Sequence, residues 1–239
     1  TILATKYIEQ KKNFLDRKLE EQFFLAIKNL DILSGVHATT SEHAEIIKKV
    51  FGEMTTHDYL KQFKIYKTNI LKIDNSDLAL ETLSKAEIVL KNQSRFIDLY
   101  TDFLTHWGFV PHNIRVNNGN IYLLDHSAIR FGNKHEGLAR FINFMILYRP
   151  ALADALLTYI RQNKTAEESD SLRLMRIYRL SDLINYYSSS LNRADEQLKK
   201  LNKKRINFWL QIMSDVLENK LTDNDHIENY KNFRDSLRT

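Results

Sequence analysis

The sequence predicts a mainly α-helical protein that carries one short β-hairpin. Along most of the chain, apolar residues recur at three- and four-residue steps, the spacing of one face of an amphipathic helix. Of six glycines and two prolines, four glycines and one proline lie within residues 108–137. Four of the eight histidines lie within residues 106–135. Turn-forming residues and ring nitrogens are thus concentrated in one irregular segment, and such loops commonly carry functional sites.

Helical spacing dominates the part of the chain that precedes this segment. Gly35 and Gly52 stand where the first two helices are expected to end, because glycine readily adopts the backbone conformation of a helix C-terminus. In the second helix, four apolar side chains are expected to face inward: Ile46, Ile47, Val50 and Phe51. Asn75 or Ser76 is expected to cap a long helix. The predicted helices cover residues 19–33, 42–51, 56–72 and 77–104.

The part of the chain that follows the irregular segment is also predicted to be helical. Residues 137–148 are so apolar that this helix is expected to be central. Pro150 suits the first turn of the next helix. The predicted helices cover residues 137–148, 150–163, 166–190 and 193–219, and residues 222–239 are either a short terminal helix or a frayed tail.

The hairpin is predicted from two short apolar runs, residues 114–116 and 121–124, which flank Asn118-Gly119. Asn-Gly between apolar runs is the strongest short hairpin signal, because both residues tolerate a positive φ angle. Antiparallel pairing would bring Asn113 and Asp125 to the same end of the hairpin. Amide and carboxylate oxygens are hard ligands, so this convergence is suited to Mg²⁺.

Composition limits the classes of function. The chain has no cysteine, which excludes disulfides and thiolate metal sites, and fits a reducing compartment such as the cytoplasm. No apolar run approaches the ~20 residues of a membrane span. The formal net charge is +5, but nucleic acid is not the expected partner, because no aromatic residues or known motif accompany the main basic run. That run is interpreted as the solvated face of a helix: Lys199, Lys200, Lys203, Lys204 and Arg205.

Residues His106–Asn113 read HWGFVPHN, and this stretch resembles the catalytic loop of protein kinases. The resemblance is closer to the aminoglycoside phosphotransferase and choline kinase family. There the loop typically reads His-Gly-Asp, two residues, Pro-x-Asn, and is followed by a hairpin that ends in Leu-(Ile or Leu)-Asp. His106, Pro111, Asn113 and Leu123–Asp125 fall in register with that pattern.

The resemblance implies a single domain over 1–239, equivalent to the helical C-terminal lobe of that family. Residues 1–16 would be the hinge or connector, 106–136 the catalytic loop and metal site, and 137–239 a helical subdomain. The glycine-rich loop and the phosphate-pairing lysine of the N-terminal lobe are absent from this chain and are expected upstream, where they would complete the nucleotide site. The implied cofactors are ATP and Mg²⁺, and the implied partner is a small molecule with a hydroxyl group.

Within that resemblance, Asn113 and Asp125 would hold the metal and the nucleotide phosphates. His106 is expected to organise the loop through a hydrogen bond to backbone. Glu136 follows the hairpin in a polar loop and is a candidate for contact with the acceptor, or equally a carboxylate favoured by the dipole at a helix N-terminus.

The chain departs from the family pattern at Gly108, which stands where the catalytic aspartate is expected. A glycine cannot accept a proton, and losing a positioned base lowers a rate by roughly 10²–10⁴. Asp102 is a poor substitute because it is expected to lie on the preceding helix. His112 would need a different loop geometry to act as the base.

Three hypotheses remain beside an active phosphotransferase. One is a pseudokinase, a nucleotide-binding module that Gly108 has made inactive. Another is a metal-dependent hydrolase, because imidazole and carboxylate groups suit Zn²⁺ or Fe²⁺. Its ligands would be His106, His112, His126 and Asp125. The third is a helical interaction domain without a nucleotide site.

Overall fold

The computed structural model describes residues 8–220 and 222–237, which form ten α-helices and four short strands. The helices before the irregular segment are α1 Leu19–Ser34, α2 Ala44–Phe51, α3 Thr56–Leu71, α4 Asp77–Asn92 and α5 Ser94–Asp98. The strands are β1 Phe103–His106, β2 Ile114–Asn117, β3 Asn120–Leu123 and β4 Ile129–Gly132. The later helices are α6 Glu136–Tyr148, α7 Pro150–Asn163, α8 Ala166–Ser190, α9 Glu196–Leu217 and α10 Asn224–Ser236.

The predicted hairpin is confirmed. Strands β2 and β3 pair antiparallel, with Ile114 opposite Leu123. The turn residues Asn118 and Gly119 have φ angles of 49° and 77°. Both values lie in the left-handed region that a two-residue hairpin turn requires, so the local sequence signal and the structure agree.

The prediction of one helix over residues 77–104 is wrong. The helix caps on Ser76, as predicted, but α4 and α5 end by Asp98, and the chain then enters strand β1. Asp102 has a left-handed φ of 68°, which turns the chain out of the helical direction just before the strand. β1 pairs antiparallel with β4, so the reason for the strand is a partner that lies further along the chain.

Helix α6 is central, as its composition predicts. Phe141, Ile142 and Met145 are completely buried in the core. The helix also packs closely on the irregular segment, because a Cβ atom added at Gly137 would lie 3.0 Å from the carbonyl oxygen of His106. Real Cβ atoms are rarely so close to a backbone oxygen. Glycine at this position therefore lets the central helix support the loop directly.

The prediction for helix α2 is wrong in its orientation. Ile46 and Val50 are 64% and 65% exposed, and Phe51 is 40% exposed, whereas Ala44 is buried. Apolar spacing identifies a face of a helix but not the element that covers it, which explains the error.

The two ends and the surface complete the fold. Of the predicted connector 1–16, residues 1–7 lie outside the described part, and Phe14–Asp16 form a 3₁₀ turn. Helix α10 is docked through Tyr230, which stacks on Phe208 at 4.4 Å.

The basic run on α9 lies mostly on the exposed face of that helix, between buried apolar positions. Among the described residues, no helix has both the length and the hydrophobicity that crossing a bilayer requires.

Candidate active site

Strand β1 and the β2–β3 hairpin hold a loop, residues His106–Asn113, whose two ends are fixed by backbone hydrogen bonds. The Trp107 amide donates to the Ala128 carbonyl at 2.9 Å. At the other end, the Leu124 amide donates to the Asn113 carbonyl at 2.8 Å. Asn113 therefore lies directly beside the strand end that leads into Asp125, which is the convergence that the hairpin register predicts.

His106, the first residue of this loop, is completely buried. Its Nε2 atom is 2.9 Å from the carbonyl oxygen of Leu124. Burial lowers the pKa of the imidazole, so the ring is neutral at pH 7 and can donate one hydrogen bond to that carbonyl. The histidine thus ties the beginning of the loop to the end of the hairpin.

Asn113 is oriented by its own loop. It is the last residue of a 3₁₀ turn that begins at the buried Pro111. Its side-chain Nδ2 donates a hydrogen bond to the Gly108 carbonyl at 2.9 Å. That bond uses the nitrogen of the amide, so the oxygen stays free to accept a hydrogen bond or to contact a cation.

Asp125 follows the hairpin in the left-handed region, with φ and ψ both 63°. This conformation is uncommon for a residue with a side chain, and such residues are enriched at functional sites. The carboxylate is exposed, and one of its oxygens accepts a hydrogen bond from the Ser127 hydroxyl at 2.5 Å. The carboxylate is therefore both held in place and accessible.

Gly108 lies between these groups. A Cβ atom added there would lie 3.7 Å from Oδ2 of Asp125, 3.5 Å from Cε1 of His106 and 3.2 Å from Cβ of Ala128. Only the contact with Ala128 is tight, and a shift of a few tenths of an ångström would relieve it. A side chain at position 108 would therefore extend beside the Asp125 carboxylate without disrupting the backbone.

The donor set at the mouth of the hairpin fits a hard cation. One amide oxygen and one carboxylate are the ligand types that Mg²⁺ takes from proteins, with waters and phosphate oxygens completing its shell. The metal-hydrolase hypothesis needs more protein ligands. Within residues 8–220 and 222–237, no three histidine, aspartate or glutamate side chains are grouped so that they could hold a metal ion. His106 is also occupied with backbone.

Of the two roles predicted for Glu136, the structure shows the carboxylate at a helix N-terminus, and the side chain is too buried to contact an acceptor molecule. It is completely buried at the first position of α6. Its carboxylate accepts hydrogen bonds from Tyr59 Oη at 2.8 Å, Arg130 at 2.7 Å and Arg179 at 3.4 Å. Both oxygens are engaged, so this carboxylate joins α3, β4 and α8.

Two further groups that the sequence offers as proton acceptors are placed differently. Asp102 lies in the turn before β1, not on a helix, and its carboxylate is 3.6 Å from the Lys48 ammonium. His112 is exposed beside Asn113. Burial of part of the ring lowers the pKa of His112, and the positive charges of Arg140 and Arg115 lower it further, so the ring is neutral at pH 7.

An arginine pair lies behind the loop, and the sequence alone does not predict it. The guanidinium groups of Arg130 and Arg179 lie 6.0 and 5.6 Å from the ring centre of Trp107. Both arginines also contact Glu136. The pair comes from β4 and α8, and only the three-dimensional structure brings it to the loop. The one signal in the sequence was a tryptophan beside the motif histidine.

Comparison with known proteins supports the fold. No family model and no curated protein sequence matches the chain. Solved structures do match. The ADP-bound structure of the aminoglycoside phosphotransferase APH(2'')-Ib has a TM-score of 0.53 at 17% identity, over 88% of this chain and 71% of that one.

A thermostable mutant of APH(4)-Ia in its apo form has a TM-score of 0.53 at 14% identity, over 84% of this chain and 69% of that one. The N202A form, a ternary complex with AMP-PNP and hygromycin B, has a TM-score of 0.52 at 15% identity over the same shares. The chain therefore has the kinase-like fold of the aminoglycoside phosphotransferases.

Proposed function

We propose that this protein is a phosphotransferase that binds Mg²⁺ and ATP at the mouth of the hairpin and directs the γ-phosphoryl group to a hydroxyl of a small molecule. One observation carries the proposal: the hairpin register brings Asn113 and Asp125 to the same end of the hairpin, where the Leu124 amide donates to the Asn113 carbonyl at 2.8 Å, and both side chains keep acceptor positions that no described residue fills. The kinase-like fold supports the same conclusion. The solved neighbours are described as bound to ADP, or to AMP-PNP and hygromycin B.

In this proposal, Asn113 and Asp125 hold the cation through the amide oxygen and the carboxylate. The cation supplies neutralisation of the phosphate charge when it is bound. His106 keeps the loop and the hairpin at a fixed separation through its bond to Leu124. A glycine-rich loop and a lysine from an N-terminal lobe would complete the nucleotide site, and the cytoplasm would supply the nucleotide.

Gly108 decides how fast the transfer can be. The position lies beside Asp125, where a carboxylate could accept the proton of an acceptor hydroxyl, but glycine offers none. His112 is the available alternative, because it is exposed and neutral at pH 7. We therefore propose slow transfer with His112 as the displaced base.

The same residue favours a second function, a nucleotide-binding module without turnover. Binding of the nucleotide requires Asn113 and Asp125 but not a base, so loss of the catalytic carboxylate at Gly108 would leave affinity intact. The two functions differ only in whether phosphoryl transfer occurs.

Calorimetric titration of the full-length protein with Mg²⁺ and ATP tests the nucleotide site. We expect Asp125→Asn to weaken metal-dependent binding at least tenfold, because the cation loses a charged ligand. Asp31→Asn is the matched control, since Asp31 is an exposed aspartate on α1. If wild type shows no binding, or if both variants bind as wild type does, the proposal is wrong.

Release of ADP in the presence of candidate acceptors then separates the two functions. Turnover by wild type that His112→Gln abolishes would establish the displaced base. If wild type shows no turnover above background and Gly108→Asp exceeds that background by roughly 10²-fold or more, the wild-type protein is a binding module. Gly108→Asn is the matched control, because it has the same shape and no proton-accepting carboxylate.

A further inference from the structure

A cavity in the helical subdomain lies outside the candidate active site. This cavity of about 230 Å³ opens between α7, α8, the end of α9 and the turn that follows it. Its volume is somewhat below the usual range for drug-sized ligands, so it suits a small molecule. Part of its wall is apolar and is formed by Leu157, Ile160, Leu172 and Val216.

The cavity wall carries far more positive than negative charge. Four cationic side chains line the cavity against one carboxylate, Asp170. The cationic residues are Arg161, Arg173, Arg176 and Lys220. A cavity wall with this balance attracts anions, and its low-dielectric surroundings strengthen the attraction.

Arg176 is the most informative of these residues. It is only 8% exposed, and its Nε donates to Oδ1 of Asn143 at 3.1 Å. Within the described part of the chain, no carboxylate lies within 4 Å of its guanidinium, and the terminal nitrogens make no hydrogen bond. Burial lowers the pKa of Arg176 to about 10, which the more distant Asp154 opposes only in part. A buried cation without an anionic partner is costly, so such groups normally have a partner.

The other cations are partly engaged. Arg173 donates to Oε1 of Gln93 at 2.6 Å and lies 3.8 Å from Asp170. Lys220 pairs with Glu218 at 2.5 Å. The guanidinium of Arg161, in contrast, has no hydrogen-bond or ion-pair partner among residues 8–220 and 222–237. Arg161 and Arg176 thus both face the cavity with donors to spare.

We propose that this cavity binds a small organic anion, in which a carboxylate or phosphate group is held by Arg161 and Arg176 and a short apolar body lies against Leu157 and Ile160. Guanidinium groups match the geometry of both anionic groups with paired hydrogen bonds. The site is built from elements that follow the hairpin, and its occupancy does not depend on the proposed phosphotransfer.

Three probes of equal chain length test the proposal: hexyl phosphate, hexanoate and hexanol. Each is titrated into the full-length protein by calorimetry. We expect both anions to bind with the same stoichiometry, and hexanol to bind at least tenfold more weakly, because only the anions gain charge-assisted hydrogen bonds. Equal binding of all three probes, or no binding of any, would overturn the proposal. Binding of one anion alone would identify which group the site accepts.

Arg161→Gln locates the binding. The residue is exposed on α7, so its replacement is expected to leave the fold intact. We expect this variant to weaken hexyl phosphate about tenfold. Arg193→Gln is the matched control, because it removes the same charge from an exposed position outside the cavity. Arg176→Lys, which retains the buried charge but not the fork of donors, should weaken binding as well. Equal losses in Arg161→Gln and Arg193→Gln would mean that only net charge matters, which would contradict the proposed site.

Discussion

Two carboxylates of the same segment, Asp125 and Glu136, have opposite environments. Asp125 is exposed and accepts one hydrogen bond from a neighbouring serine. Glu136 is completely buried, and three donors from other elements fill its acceptor positions. A carboxylate whose positions are all filled stabilises the fold, whereas an exposed one with free positions can bind a ligand. Proximity to a motif therefore does not by itself identify a site residue.

The arginines show the same difference. Arg130 and Arg179 lie next to the candidate site, yet both contact Glu136, and Arg179 also contacts Asp182 at 3.0 Å. Arg161 on α7, and Arg176 one turn before Arg179 on α8, instead retain unused donors around a cavity. Hydrogen-bonding groups that no described residue satisfies are the common property of the two sites proposed here.

The largest effect on stability is expected at the buried carboxylate. Glu136→Gln would leave Arg130 and Arg179 with less than their full charge compensation in the interior. We expect the free energy of unfolding to fall by about 3–5 kcal/mol. Urea denaturation followed by circular dichroism measures it, and Asp125→Asn should change it by less than about 0.5 kcal/mol, since asparagine also tolerates a left-handed conformation. Similar losses in the two variants would contradict the division between a structural and a ligand-binding carboxylate.

A smaller effect on the free energy of unfolding is expected from the protonation of His135, the residue beside Glu136. Burial lowers the pKa of His135 to about 3, compared with the ordinary value of 6.5. The unfolded chain therefore binds a proton below pH 6.5 that the folded protein does not accept until about pH 3. The contribution of His135 to the free energy of unfolding is fully present above pH 6.5. It decreases as the pH falls through this window, by about 2 kcal/mol at pH 5.

Denaturation of wild type and His135→Phe at pH 7.5 and pH 5 measures this contribution. The variant should lose about 2 kcal/mol less than wild type over that interval. Equal losses would mean that His135 is charged inside the folded protein or that it is not buried in solution.

The smallest expected effect is at the turn that carries the exposed site. Gly119 has a φ of 77°, so Gly119→Ala places a Cβ atom in an unfavourable conformation and should cost about 1 kcal/mol. Gly35 has a helical φ of −74°, and Gly35→Ala is the control with little backbone strain. Thermal unfolding compares them. A loss at Gly119 no greater than that at Gly35 would mean that the hairpin does not hold this turn.

The sequence could predict what depends on neighbouring residues. The hairpin follows from Asn118-Gly119 and its flanking apolar runs, and with it the placement of Asn113 beside Asp125. Strand β1 could not be predicted, because its partner β4 lies beyond the hairpin. The contacts of the Glu136 carboxylate cannot be predicted from the sequence either, since Tyr59 and Arg179 are 77 and 43 residues away from it. Long-range contacts decide which polar groups are used up, and periodicity carries no information about them.

The most direct test of the central claim is to locate the bound cation. Mn²⁺ takes the same oxygen ligands as Mg²⁺ and broadens the NMR signals of nearby nuclei. With ATP and substoichiometric Mn²⁺, we predict that the strongest broadening is of the backbone amide signals of residues 108–110, 112, 113 and 125–127. Asp125→Asn should remove the broadening. Broadening that persists in the variant, or that centres on another part of the chain, would contradict the assignment of the metal site to Asn113 and Asp125.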